Sequence, residues 1–283
     1  MKRVRLMLQN AARYPGSFLV RLLCGAAALI VAGALALIIG YILITGIPNL
    51  KPSLFALEYN SENVSLLPAL FNTVIMTLLS LLLAVPLGVG GAIYLAEYAN
   101  RSSRIVKAVR LTAETLAGIP SILYGLFGMM FFVTSLRWSY SLLAGGMKLA
   151  VMVLPLILRT TEEALLSVPD SYREGSFGLG AGRLRTVTHI VLPPAMSGIL
   201  AGVILAIGRV VGETAALIYT AGTVADWPKG VMSSGRTLAV HMYVLSGEGL
   251  HVSEASATAV VLLVIVVGMN ALSAFAAKKL TRG

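Results

Sequence analysis

Six stretches, roughly residues 22–46, 67–95, 111–134, 141–158, 195–220 and 257–277, are each long and apolar enough to cross a bilayer core. A spanning helix takes about 20 mostly apolar residues. Backbone polar groups in lipid must be satisfied within the segment, so runs of this kind are read as helices. The chain is therefore expected to be an all-α polytopic membrane protein. A segment 1–21 precedes a single transmembrane domain over 22–283. Charged residues make up 12% of the chain, about half the share usual in soluble domains. The net charge of +10 does not point to nucleic acid, because the basic residues lie in short clusters between apolar runs. That placement suits anionic lipid and topology control. The single cysteine, Cys24, excludes an internal disulfide and a cysteine metal site.

The third run is interrupted by "AGIPSILYGLFG" (117–128), where Pro120 removes a helix donor. Broken helices at membrane depth are tolerated only against protein or water, so this one should face the interior. Lys148 falls inside the fourth run; either it snorkels to the outer interface or the span begins further along. The first run is longer than a signal-peptide core and is read as a retained span. With the N-terminus inside, the inner segments hold Lys2, Arg3, Arg5, Arg13, Arg21, Arg101, Arg104, Lys107, Arg110, Arg159, Arg173, Arg183, Arg185, Lys278, Lys279 and Arg282. The outer segments hold Lys51, Arg137, Lys148, Lys229 and Arg236. This asymmetry places both termini in the cytoplasm. Gly198 with Gly202, and Gly208 with Gly212, have the spacing that lets helices approach closely.

Residues 160–194, between the fourth and fifth runs, form the most informative loop. Glu174 is followed by Gly180, Ile190, Leu192 and Pro193 at the spacing of the "EAA" loop of ABC-transporter permeases. Gly175-Ser176 stands where that motif has Ala-Ala, and glycine costs about 1 kcal/mol of helix propensity against alanine. A slightly looser short helix is expected. Such a helix, leashed by spans on both sides, can pass a push from a soluble partner to the bundle. No G-x-x-x-x-G-K-[ST] is present, so nothing in the chain cradles nucleotide phosphates.

Four phrases extend the resemblance: "AIYLAEYA" (92–99), "GIPSILYGLFG" (118–128), "RTTEEALLSVPDSYREGSFGLG" (159–180) and "SGILAGVILAIGRVVGETAALIYTAG" (197–222). Together they resemble the permease subunits of phosphate-specific (Pst-type) ABC importers, more closely the A-type permease. The resemblance covers roughly residues 66–222. It implies a type I (MetI-like) permease fold in the bacterial inner membrane. It also implies a homologous sister permease, two ATPase subunits binding ATP and Mg, and an external phosphate-binding protein. The chain itself would then hold no cofactor and catalyse nothing. By the same resemblance Arg209, Glu213 and Arg159 matter for phosphate passage. Glu174, Gly180, Ile190, Leu192 and Pro193 would carry the coupling to ATP hydrolysis.

Arg209 and Glu213 are the only ionisable residues between Ala195 and Thr220, save Tyr219. Such charges cost roughly 2.5–3.5 kcal/mol at a helix centre. Four residues apart, they can pair on one helix face. Counting about 1.5 Å per residue from Ala195 puts Arg209 near the midplane. Its five donors suit a tetrahedral oxyanion. A helix-fixing ion pair is the competing reading. His241 and His251 match no metal-ligand spacing, and "TLAVHMYVLSGEGL" reads as a partly buried outer helix. The alternatives are a permease of the same class for another oxyanion or small solute (sulfate, molybdate, phosphonate), or a membrane anchor that moves nothing. A passive anchor has no need of a broken third span or of charges in the fifth.

Overall fold

The computed structural model describes residues 15–100 and 102–280, and among these all regular structure is helical. The inferences from residues 1–14, Arg101 and Arg282 lie outside the described residues. The helices are α1 (Pro15–Gly46), α2 (Leu67–Tyr98), α3 (Arg104–Ala117), α4 (Ser121–Ser135), α5 (Leu142–Leu166), α6 (Asp170–Gly178), α7 (Arg183–Val211), α8 (Ala215–Ile218), α9 (Leu238–Glu248) and α10 (Val252–Leu280). Five of them are long and apolar enough to span a membrane, or six spans if the bent pair α3–α4 is one.

The centre of the bundle is α5, packed against α2 on one side and α7 on the other. Gly198 and Gly202 serve as the sequence suggests: a Cβ on Gly198 would stand 2.6 Å from Ala164 Cβ, and Gly202 lies directly against Thr160. Gly208 meets nothing within 4 Å, so the second glycine pair is not used within this chain. The α1 helix stands apart for most of its length. Its C-terminal Gly46 touches Ser256 and Val260 of α10.

Several boundaries differ from expectation. The break in the third run is real, with α3 and α4 meeting at 102°. Pro120 caps α4 with extended backbone, and proline disfavours helix in the residue before it. The segment before the break does not qualify as a span by itself, and passes only together with α4. Arg104, Lys107, Arg110 and Glu114 make α3 amphipathic, and only α4 is continuously apolar. The fourth run does not end at 158 but continues to Leu166, because Arg159, Glu162 and Glu163 are accommodated on the last turns of α5. The loop of 160–194 thereby contracts to 167–182, and Ile190, Leu192 and Pro193 belong to the start of α7.

Candidate functional site

The fifth run does not continue as a helix to residue 220. It ends at Val211, with Gly212 as cap and its N–H on Gly208 O at 3.2 Å. Glycine and two valines lower helix propensity at this point. Glu213 and Thr214 form a break before α8 starts at Ala215.

This break overturns the expected pairing. Arg209 lies in the last turn of α7 and Glu213 beyond its end, and no ion pair joins them among the described residues. Glu213, 7% exposed, instead accepts a hydrogen bond at Oε1 from the Ala216 N–H at 3.1 Å. It thus satisfies one of the orphan donors at the start of α8. Arg209 is half-buried and has no carboxylate partner among the described residues.

Lys148 is also misplaced by the sequence reading. It does not snorkel; at 1% exposure it is enclosed by the bundle. It lies six residues, about 9 Å, from the Leu142 end of α5. Just beyond the break that carries Glu213, Leu217 and Ala221 lie against Gly145 of the same end of α5. The charged group therefore sits toward the Leu142 end rather than midway along the bundle. Tyr124 lies beneath the Lys148 ammonium, 6.0 Å from ring centroid to Nζ, and donates its hydroxyl to Leu116 O at 2.8 Å.

Arg159 is not brought to this group. Eleven residues further along α5, about 16 Å, it is exposed and paired with Glu163, Nε to Oε1 2.9 Å. It lines a cleft of about 240 Å³ with Arg110, Glu114, Glu162 and Glu163. Within it Arg110 Nε donates to Glu162 Oε1 at 2.8 Å, tying α3 to α5.

At the same end, α6 is a regular helix despite Gly175-Ser176, so the expected loosening does not interrupt it. Pro169 precedes it and Asp170 sits in its first turn, where negative charge is favoured. Gly180 closes it with φ +81°, a left-handed conformation suited to glycine, and its N–H reaches Phe177 O at 2.9 Å. Glu174 is exposed. Gly180 and Ile190 line one cleft of about 600 Å³ with Tyr172, Ser176 and Leu179, whereas Leu192 and Pro193 continue into α7.

Sequence reasoning missed the contact that seats α6. Arg173 Nη2 meets Glu97 Oε1 at 2.6 Å, and its Nε meets Glu97 Oε2 at 3.1 Å. The same guanidinium donates to Val168 O at 2.7 Å and Leu165 O at 2.9 Å. Hydrogen bonding to Glu97 raises the Arg173 pKa above its already high value. Glu97 stands as the lone acid in "AIYLAEYA", the one sequence signal available.

A helical membrane protein with a charged break in one span, and a short helix presented between two others, has the architecture of a transporter's permease subunit. Residues 88–282 match the model of the binding-protein-dependent transport system inner membrane component, and the chain belongs to that family of ABC importer permeases. It is 34% identical to a probable ABC transporter permease, YqgI of Bacillus subtilis, over 80% of this chain and 82% of that one. It is 33% identical to the phosphate transport system permease PstA of Yersinia pestis, over 78% and 75%. PstA 1 of Mycobacterium tuberculosis is 40% identical over 54% of this chain and about half its own length, 50%. The fold resembles a subunit of a bacterial importer of the acidic polysaccharide alginate, with TM-score 0.69, 16% identity and coverage of 98% and 99%. It also resembles a chain of the MetNI methionine transporter, with TM-score 0.58, 20% identity and coverage of 75% and 94%.

Proposed function

We propose that this chain is one of two homologous permeases in an ATP-driven importer of inorganic phosphate. The observation that carries the reading is Arg209: a guanidinium on a spanning helix, half-buried and with no carboxylate partner among the described residues. An arginine in that state stays charged when dehydrated and presents a fork of donors to an oxyanion. Glu213 nearby limits how firmly an anion is held, since passage requires release. The relatives named as phosphate transport permeases support phosphate as that anion. Arg159, in its cleft of mixed charge, stands at the exit.

The ATPase subunits, which bind ATP and Mg, dock on α6. Leu179 is 92% exposed there, and Tyr172 and Phe177 are exposed beside it. Exposed apolar groups around a cleft favour a protein partner. This end then faces the cytoplasm, with both termini on that side of the inner membrane. An external phosphate-binding protein delivers the anion at the other end. The chain itself hydrolyses nothing.

Reconstitution with the partner subunits tests the reading through uptake of labelled phosphate against sulfate and molybdate. Phosphate is expected to enter selectively, and R209L to stop its entry in a complex that still assembles. Undiminished uptake by R209L would sink the role of Arg209, and equal uptake of sulfate or molybdate would sink the assignment of phosphate.

A further inference from the structure

The largest fully buried side chain among the described residues is a lysine. Lys148 is 1% exposed, and its ammonium has one hydrogen-bond partner, Met152 Sδ at 3.4 Å. A thioether is a weak acceptor, and no ion pair among the described residues includes Lys148. A buried ammonium is costly unless a negative charge balances it.

The packing indicates which charge that is. Gly125 and Gly128 lie one turn apart on α4 and admit two neighbours side by side. A Cβ on Gly128 would stand 3.0 Å from Lys148 Cγ and 2.8 Å from Thr220 Cγ2. A Cβ on Gly125 would stand 2.7 Å from Ala216 Cα. The helix thus presses on the Lys148 stem and on α8 together. Ala216 is the residue whose N–H holds the Glu213 carboxylate. Gly145, one turn before Lys148 on α5, likewise lies against Leu217 of α8, a Cβ there standing 3.3 Å from Leu217 Cδ2.

We propose that Lys148 is the internal counter-charge of Glu213, drawing that carboxylate toward α8 and so keeping it off Arg209. Lys148 is in this sense a positioning residue that acts through Glu213. The inference rests on the reading that Arg209 meets the transported anion. It adds an electrostatic reason to the helix end at Gly212 for Arg209 and Glu213 standing unpaired. Lys148, Arg209 and Glu213 together leave one positive charge in the bundle, which an entering oxyanion balances.

The test is a double-mutant cycle in the full reconstituted complex: wild type, K148M, E213Q and K148M/E213Q, with K148R as the charge-conserving control. Methionine keeps the length of lysine without its charge. K148M is expected to raise the KM for phosphate about tenfold, and K148R to stay within about threefold. In the E213Q background the same K148M change is expected to have little effect on KM or on the thermal stability of the complex. If E213Q alone abolishes uptake, or if K148M fails to assemble, stability and co-purification across the cycle decide. Recovery in K148M/E213Q supports the pairing. A K148M effect equally large in both backgrounds overturns it, as does a wild-type KM in K148M. R209L, run in parallel, separates the two readings: unaffected uptake there removes the anion path, while the stability cycle still judges Lys148 against Glu213.

Discussion

Arg173 on the short helix α6 and Glu97 in the last turn of α2 form a two-point ion pair, at 2.6 Å and 3.1 Å, with side chains 10% and 7% exposed. The same guanidinium also caps the carbonyls of Leu165 and Val168, so α6 is tied at once to α2 and to the end of α5. A displacement of α6 is therefore delivered to two spans through one side chain.

Breaking this tie should separate ATP hydrolysis from transport. Removing one partner of a buried ion pair typically costs about 3–5 kcal/mol, because the other charge is left unbalanced. E97Q and R173M are expected to lower phosphate uptake about tenfold while ATPase activity falls much less. R173K, which cannot reproduce the two-point geometry, should lie between. The measurement is ATP hydrolysed per phosphate taken up in proteoliposomes. A ratio unchanged from wild type would show that the tie is not in the coupling path.

Gly180 closes α6 at φ +81° with open space around its missing Cβ. G180A therefore meets no clash and reports on backbone conformation alone, at a cost of about 1–2 kcal/mol. A lowered melting temperature with slower coupled ATPase activity is the expected result, read by thermal unfolding and turnover. G175A, on the helical part of the same segment, should leave stability level or slightly raised.

At Gly202 the limit is contact rather than conformation. A Cβ there would overlap the Thr160 side chain, so G202A is expected to destabilise the α5–α7 contact by about 1–3 kcal/mol. Shortening the partner in G202A/T160A should recover part of that loss, since it removes the Thr160 hydroxyl but leaves the residue 160 Cβ 2.7 Å from the added methyl. G208A, with nothing within 4 Å, is the control expected to be neutral within this chain. Thermal stability of the purified permease pair distinguishes the three.

His241 supplies a pH dependence. Burial, and secondarily the charge of Arg236, lowers its pKa to about 3 from 6.5. A depressed pKa means that the unfolded chain binds a proton that the folded chain does not. This contribution is intact above pH 6.5 and is lost progressively as pH falls toward 3. Between pH 6.5 and 5 the loss from this one group is about 2 kcal/mol. H241Q is expected to show a shallower fall in melting temperature over that interval than wild type. Parallel curves would exclude His241 as the source.

Much of this architecture is legible in the sequence, for reasons that differ by feature. Span positions follow from apolar run length, and the third-span break follows from Pro120, because both are local. The short α6 helix follows from the resemblance of Glu174, Gly180, Ile190, Leu192 and Pro193 to the permease loop motif. Arg209 with Glu213 shows where local reading stops. Counting four residues assumes an unbroken helix, and the helix ends between them at Gly212. The depth of Lys148 depends on Gly128 of another helix making room for its stem, which no feature of its own segment reveals. Glu97 and Arg173 lie 76 residues apart, and only the folded chain brings them together.

The α7 helix touches α5 most closely where Gly198 and Gly202 meet Ala164 and Thr160. Turning as one body about that contact, the helix would act as a see-saw. Its arm toward Arg183 is about 26 Å long and its arm toward Arg209 about 14 Å, at 1.5 Å per residue. A 2 Å shove at the Arg183 end would reach Arg209 as about 1 Å in the opposite direction. Such a turn would reverse the direction and halve the stroke, its pivot set by where two side chains are missing.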